Sequence, residues 1–512
     1  MSFGRRAFLS RAVALATASF LRPSFAAPEK VRFTDDPFAL GIASGSPRDT
    51  SVVLWTRLAP KPLEGGGLDP VGVDVRWEIA HDEKFSRIAR SGTSVADPER
   101  AHAVHVECDG LEPGRVYHYR FIAGGAVSAV GRTRTAPAPG KGDERLRVIL
   151  ASCQQYEQGY FAAHRHIAAE DPDLIAFVGD YIYESSWGRE HVRKHATGEP
   201  HTLAEYRARY AQYKSDPDLQ LAHRVAPWIV TWDDHEVDND YAADRSEDLD
   251  PDFLARRTAA YRAFFEHHPL RASTLLDGMG IRIFDRFAWG NLALFHVLDD
   301  RQYRSYQSCP KPGRGGGNIV GAECTALRDP DRTLLGEAQE RWLGEGLARS
   351  SAKWNLLTQQ TLFVPATRRT EAGPKTWTDG WDGYPAARER LLTQLSDGRA
   401  ANPVILGGDV HCGYVANVHA NARPDSRVVA AEFCATSITS QGPSVNVVQG
   451  ILGLNKHMRY GNPTQRGYTR LDLTRERLEA RMRVIETPKR ADAAVSTDAT
   501  FYVEAGKPGL VR

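Results

Sequence analysis

Five short apolar runs in this chain, none of them alternating with polar residues, each stop at a side chain able to bind a metal or move a proton. Val148-Ile149-Leu150-Ala151 leads into Ser152-Cys153-Gln154, and Leu174-Ile175-Ala176-Phe177-Val178 into Gly179-Asp180-Tyr181-Ile182-Tyr183. Trp228-Ile229-Val230 leads into Trp232-Asp233-Asp234-His235-Glu236, Leu292 to Leu298 into Asp299-Asp300, and Pro403-Val404-Ile405-Leu406 into Gly408-Asp409-Val410-His411. Short β-rich runs without alternation are strands buried on both faces, which requires a sheet covered on each side. In such α/β folds ligands gather beyond the carboxyl ends of the strands, so Cys153, Asp180, Asp234, His235, Asp409 and His411 are expected to converge despite their separation. That pattern reads as a metal-dependent hydrolase.

Between these runs lie helical segments at Tyr160 to Ala169, Leu203 to Tyr213, Phe253 to His267, Gly336 to Ala348 and Ala386 to Leu395. Strands alternating with helices place residues 145–512 in the α/β class. Residues 36–135 have another texture. Ser51 to Thr56, Val73 to Ile79, His102 to Val106 and Val116 to Phe121 alternate and are separated by turn residues, which predicts an all-β sandwich of immunoglobulin or fibronectin type. The Pro- and Gly-rich stretch 136–144 reads as a linker. Two insertions, 185–223 and 303–330, are expected as loops above the site.

Residues 1–26 stand apart. Arg5-Arg6-Ala7-Phe8-Leu9 is a twin-arginine pattern, Ala12 to Leu21 is too short to span a membrane, and Ser24-Phe25-Ala26 suits cleavage. The reading is a removed export signal for the twin-arginine machinery, leaving no membrane span and a periplasmic or secreted protein. Its removal deletes four of the 65 basic residues (Arg5, Arg6, Arg11, Arg22) and none of the 64 acidic ones, turning a formal +1 into −3. No nucleic-acid-binding surface is evident in that balance. Six cysteines in 512 residues are too few for a disulfide scaffold, but Cys309 and Cys324 flank a Gly-rich loop and are placed to pair after export.

A phosphate ester repels hydroxide, and two adjacent cations overcome this by generating the nucleophile while neutralising the phosphoryl oxygens. Asp180 suits a bridge between two ions, having two oxygens at the end of the most clearly buried strand. Tyr183 becomes a ligand only if its phenol ionises, which a trivalent ion would force. Cys153 offers a thiolate, and Asp409 and His411 can face one site from a strand-to-loop turn. His235, flanked by Asp234 and Glu236, is the expected proton donor to the leaving group. Singly, each has a plainer reading: a packed thiol, a core tyrosine, a solvated acidic loop, an internal ion pair at Asp299-Asp300-Arg301. Five coincidences at five strand ends favour the site.

At these residues the chain resembles the PhoD-type alkaline phosphatases, relatives of the purple acid phosphatases within the calcineurin-like metallophosphoesterases. Ala151 to Gln154, Gly179 to Glu184, Trp232 to Asn239, Arg301 to Arg304, Asp379 to Pro385, Gly408 to His411 and Glu432 to Ser440 look like that family's successive motifs, in order. The resemblance implies a four-layer α/β/β/α metallophosphoesterase domain after the β-sandwich. It also implies a ferric ion (Fe3+) on Cys153, Asp180, Tyr183 and His411, with calcium (Ca2+) beside it. Asp180 would bridge, and Asp234, Asn239 and Asp409 would supply the remaining ligands. Where the wider superfamily has Gly-Asn-His-Glu and Gly-His-x-His, this chain has Asp233-Asp234-His235-Glu236 and Gly408-Asp409-Val410-His411; replacing nitrogen ligands by oxygen favours a hard ion. Whether Asp234 or Asn239 coordinates stays open at this stage. Arg301, with Arg189 and Arg193 from the first insertion, are candidate phosphate clamps.

The expected activity is that of an exported alkaline phosphatase and phosphodiesterase, a monomer acting on small phosphate mono- and diesters, with metal-bound hydroxide attacking in line and Asp180, His235 and Arg301 as the catalytic set. Two alternatives accompany it: a phospholipase D acting on lipid diesters, and a calcium-dependent surface- or glycan-binding protein without catalysis.

Overall fold

The computed structural model describes residues 32–141, 145–276, 280–370 and 373–511, so the expected signal at 1–26 lies outside the described residues. All five apolar runs are strands. Arg145–Ala151, Leu174–Val178 and Trp228–Thr231 pair in parallel at the centre of a nine-stranded sheet. Ala293–Val297, Trp354–Thr358, Pro403–Gly407 and Val428–Cys434 form the parallel centre of a seven-stranded sheet.

Successive side chains of a strand point to opposite faces, and the three main cores divide on that rule. Val148, Leu150, Ala176 and Ile229 from the large sheet share one core with Phe295, Leu356, Val404 and Leu406 from the second. The intervening Ile149, Ile175, Phe177 and Val230 turn to the opposite face, against Tyr206, Tyr210, Phe264 and other helical residues. On the second sheet Leu357 and Ile405 meet Leu343, Leu347, Leu391 and Leu395 from the helices Gly336–Arg349 and Pro385–Ser396. Each such side chain contributes about 1.5–3 kcal/mol on burial, so a strand with two buried faces has no position for a polar residue until it leaves the sheet.

The 185–223 segment carries the helix Leu203–Lys214, as expected at Leu203 to Tyr213, and departs from the expected loop in a second helix, Pro217–Val225. Both start on local signals: a Thr202/Glu205 capping box, and Asp216 capping a first-turn Pro217. Their polar composition conceals a buried face, because Tyr206, Arg209, Tyr210 and Tyr213 are interior. In the 303–330 segment Cys309 and Cys324 are disulfide-bonded, with Cα atoms 6.0 Å apart.

The alternating strands of residues 36–135 form, but they divide between two sheets. Ile42–Gly45, Ser51–Arg57 and Ala103–Asp109 continue the large sheet, Gly45 pairing in parallel with Trp228. Val73–Ala80, Ile88–Ala96 and Val116–Ala123 belong to a separate five-stranded sheet. A shared core of Val52, Leu54 and Val106 against Val75, Ile79 and Tyr119 joins the two. The C-terminal strand Val495–Glu504 lies at the other edge of the large sheet. No helix among the described residues is long and apolar enough to cross a membrane.

Burial discharges two histidines: His105, where an N-terminal strand meets the helix Phe253–His267, and His164 on the helix Ala162–Ala169. The His105 ring nitrogen Nε2 is 3.0 Å from the Phe265 carbonyl oxygen and 2.9 Å from that of His268, and burial lowers its pKa to about 4; burial lowers His164 to about 3. Both are depressed below the ordinary 6.5, so folding favours the neutral rings. Their contribution is complete above pH 6.5 and is lost as pH falls from there through 4 and 3. For each ring the loss is about 1.4 kcal/mol per pH unit over the range in which the unfolded chain is protonated and the folded one is not. Urea denaturation midpoints should therefore fall between pH 7 and pH 4, and His105→Gln should flatten that dependence. Parallel profiles for the two proteins would show that His105 does not contribute.

Candidate metal centre

The chain leaves the sheets abruptly at the predicted positions. Cys153, Asp180, Asp409 and His411 all have left-handed backbones, with φ of 60°, 57°, 64° and 49°. Each costs roughly 1–3 kcal/mol and persists only where the surroundings hold it. Gly179, at φ 97°, has no alternative: a Cβ there would stand 2.4 Å from that of Asp233. Glu236, a residue to which the sequence assigned only a flanking charge, holds these turns together. Its carboxylate accepts from the backbone N–H groups of Asp180 at 3.1 Å, Tyr181 at 2.5 Å and Asp233 at 2.8 Å. Burial and then the Asp180 charge push its pKa up to about 8.

Donor atoms of Cys153, Asp180 and His411 lie within 4.8 Å of one another. The Tyr183 hydroxyl joins them, 2.6 Å from Asp180 Oδ2 and 2.9 Å from His411 Nε2. His411 Nδ1 lies 2.9 Å from the Gln441 carbonyl, which can only accept, so Nδ1 carries the hydrogen and Nε2 keeps its lone pair for the site. Trp187, from the 185–223 segment, stacks on that ring at 5.5 Å. Burial, then the Asp180 charge, pushes the Cys153 thiol and the Tyr183 phenol well above their ordinary values. Asp180 Oδ1 is buried without a hydrogen-bond partner.

A second group, Asp180, Asp234 and His235, shares Asp180 with the first. Glu184 Oε2 is 2.7 Å from His235 Nδ1, while its Oε1 accepts from the Asn239 backbone N–H at 3.1 Å. Burial alone would discharge His235, but Glu184, Asp234 and Asp180 outweigh it and hold the imidazole well above its ordinary pKa. Asn239 and Asp409 line the same cleft; Asn239 Nδ2 donates to Glu247 at 2.7 Å, and Thr361 Oγ1 donates to Asp409 Oδ2. A third acidic group, Asp234, Asp240 and Asp379, extends away from these. Its members 240 and 379 carry no strand-end signal in the sequence.

The arginines expected as phosphate clamps are placed differently. Arg301 is 1% exposed and is not in the cleft wall. Its guanidinium binds Asp233 through Nε and Asp379 at 2.8 Å, and lies 3.5 Å from Asp234. An arginine among so many buried acids is drawn to the nearest carboxylates, which holds this guanidinium outside the cleft lining. Arg193 likewise pairs with Asp216 at 2.7 Å and donates to two backbone carbonyls. Arg189 does not line the cleft.

The cleft encloses about 560 Å³. Its lining combines carboxylates and two histidines with the apolar side chains of Leu362, Val364, Trp377, Tyr414 and Ile451. An ester could place its phosphoryl group among the polar side chains and its organic part against the apolar ones.

Residues 148–482 match the PhoD-like phosphatase family, and residues 24–137 match the N-terminal domain of PhoD-like phosphatases. The chain is 45% identical over 492 residues to alkaline phosphatase D of Bacillus subtilis (strain 168), covering 93% of this chain and 82% of that protein. Among solved structures, one described as the structure of PhoD superposes with a TM-score of 0.89 at 45% identity, covering 94% of this chain and 93% of the other. The purple acid phosphatase PPD1 from yellow lupin seeds shares the fold, with a TM-score of 0.56 at 13% identity over 91% of this chain and 73% of its own.

Proposed function

Because the chain belongs to the PhoD-like phosphatase family, and is therefore a phosphoester hydrolase, we propose that it is an exported alkaline phosphatase and phosphodiesterase working with Fe3+ and Ca2+. The binding-protein alternative is set aside by that membership. The observation that carries the metal reading is the Tyr183 phenol wedged between Asp180 and His411 Nε2. A buried thiol and a buried phenol beside one carboxylate stay protonated unless a highly charged cation displaces both protons, and a thiolate, phenolate, imidazole and carboxylate set suits a ferric ion. Cys153, Asp180, Tyr183 and His411 would hold it. Asp180 would be shared with calcium, with Asp234, Asp409 and Asn239 as oxygen ligands; Asp234 has a carboxylate oxygen within 4.8 Å of one of Asp180. The four-layer α/β/β/α arrangement, with an N-terminal sandwich, is the reading that the three cores and the shared N-terminal core support.

When bound, the ions supply positive charge to the phosphoryl oxygens and acidify water. The chain's own residues do the rest. Glu184 accepts the Nδ1 hydrogen of His235, orients the ring and stabilises its charged form. His235 Nε2 then delivers a proton to the departing ester oxygen. Asp180, with atoms in both donor groups, would hold both ions, and the apolar side chains of the cleft receive the organic group. Arg301 fixes Asp233, Asp234 and Asp379 and acts as a positioning residue. That apolar lining is the one feature favouring the lipid-diester alternative.

The test is hydrolysis of matched chromogenic mono- and diesters by the mature chain with calcium at alkaline pH, alongside iron analysis. Turnover of both with stoichiometric iron is expected. Silence on both with the metals present, or a strong preference for lipid diesters, would overturn the small-ester reading. A phenolate-to-iron absorption band should be visible and should vanish in Tyr183→Phe; a spectrum unchanged by that substitution would exclude Tyr183 as a ligand.

A further inference from the structure

We infer that Arg368 binds a second anionic group of the substrate, away from the reacting phosphoryl group, and so selects esters whose organic part carries a further negative charge. This rests on the phosphoesterase reading above. Among the cleft-lining residues Arg368 is the one lysine or arginine. Five other arginines near the site are consumed: Arg256 pairs with Glu199 and Asp238, Arg314 with Glu247 and Asp248, Arg388 with Asp382, and Arg301 and Arg304 with Asp379. Arg368 has no ion pair and no side-chain hydrogen bond among the described residues. In a cleft with several acids available, an unpaired guanidinium is a donor fork left for something that enters from outside.

Its position follows from a segment that begins beside Asp409. Thr361 donates to Asp409, and beyond it Leu362, Val364, Ala366 and Arg368 line the cleft at every second residue. The segment is pinned. The Glu432 carboxylate accepts from the N–H groups of Phe363 at 2.7 Å and Val364 at 2.9 Å, and Asp382 accepts from Ala366 at 2.9 Å.

The strand Arg368–Thr370 then pairs with Gly373–Trp377, Arg368 opposite Lys375. Trp377, two residues on from Lys375, shares the face of Arg368 and also lines the cleft. Lys375 itself is occupied by Glu323 at 3.0 Å. The cleft lining thus offers a phosphoryl site, apolar side chains, an indole and a free cation. A substrate matching that set has a phosphoester at one end, an organic spacer and a second anion, carboxylate or phosphate, at the other.

Phosphate monoesters of ω-hydroxycarboxylic acids of increasing chain length, each with its uncharged carboxamide twin, test this. The wild type should prefer the carboxylate about tenfold in kcat/KM at the longer lengths, a difference of ~1.4 kcal/mol, with the change in KM. Arg368→Gln should abolish the preference while leaving the carboxamides within twofold, and Arg368→Lys should retain part of it. A carboxylate preference that survives Arg368→Gln, or none at any length, overturns the inference alone. Hydrolysis of neither series by the wild type overturns the phosphoesterase reading and this inference with it.

Discussion

Replacing Asp180 by Asn should leave a folded protein whose turnover falls at least about a thousandfold, ~4 kcal/mol of lost transition-state stabilisation. Asp180 belongs to both donor groups, and its Oδ1 is buried with nothing to bond. The amide keeps the size of the carboxylate but removes its charge and replaces one ligand oxygen by an N–H donor. Left-handed backbone is tolerated by Asn better than by most residues, so the turn at φ 57° survives the change. Loss of activity with a melting temperature close to that of the wild type is the expected pair of results, accompanied by loss of iron and calcium. Near-normal turnover with full metal content would remove Asp180 from the centre of the site.

Arg301→Met should have its largest effect on stability. Asp233, Asp234 and Asp379 are each at most 3% exposed and surround one guanidinium; removing it takes the arginine from Asp233 and Asp234, while Asp379 keeps Arg304, at a cost of about 3–5 kcal/mol. Arg301→Lys should recover little, since a single ammonium cannot serve three carboxylates in a planar fork. Denaturant unfolding measures the loss, and the KM of whatever folded enzyme remains separates two roles. A positioning residue leaves KM for small esters near the wild-type value. Unchanged stability with a raised KM would instead make Arg301 the substrate clamp that its place in the sequence suggests.

Arg301 marks the limit of what was legible. Its neighbours in sequence, Asp299 and Asp300, announce a strand end, and the strand is there. Its partners lie elsewhere: Asp233 is 68 residues away and Asp379 is 78, and no local pattern records such a pairing. The same holds for Glu236, whose three backbone hydrogen bonds depend on two strand ends lying side by side, and for Trp187, which meets His411 only once the 185–223 segment has folded over the site. Of the two helices in that segment, Leu203–Lys214 follows the helical stretch legible at Leu203 to Tyr213, whereas Pro217–Val225 was not anticipated. Its cap, Asp216 with a first-turn Pro217, was the available signal.

The strands, the order in which they deliver Cys153, Asp180, Asp234, His235, Asp409 and His411, and the chemical character of that donor set were all legible in the chain. These are consequences of local composition: an unbroken apolar run must be buried on both faces, and polar side chains can appear only where it ends. Tertiary structure decided which charges meet, which arginines are spent and which is left free. It also carried three strands of residues 36–135 into the large sheet instead of leaving them in a separate one. Those outcomes depend on distances between residues far apart in the chain, where burial makes an unpaired charge costly and the nearest opposite charge takes it.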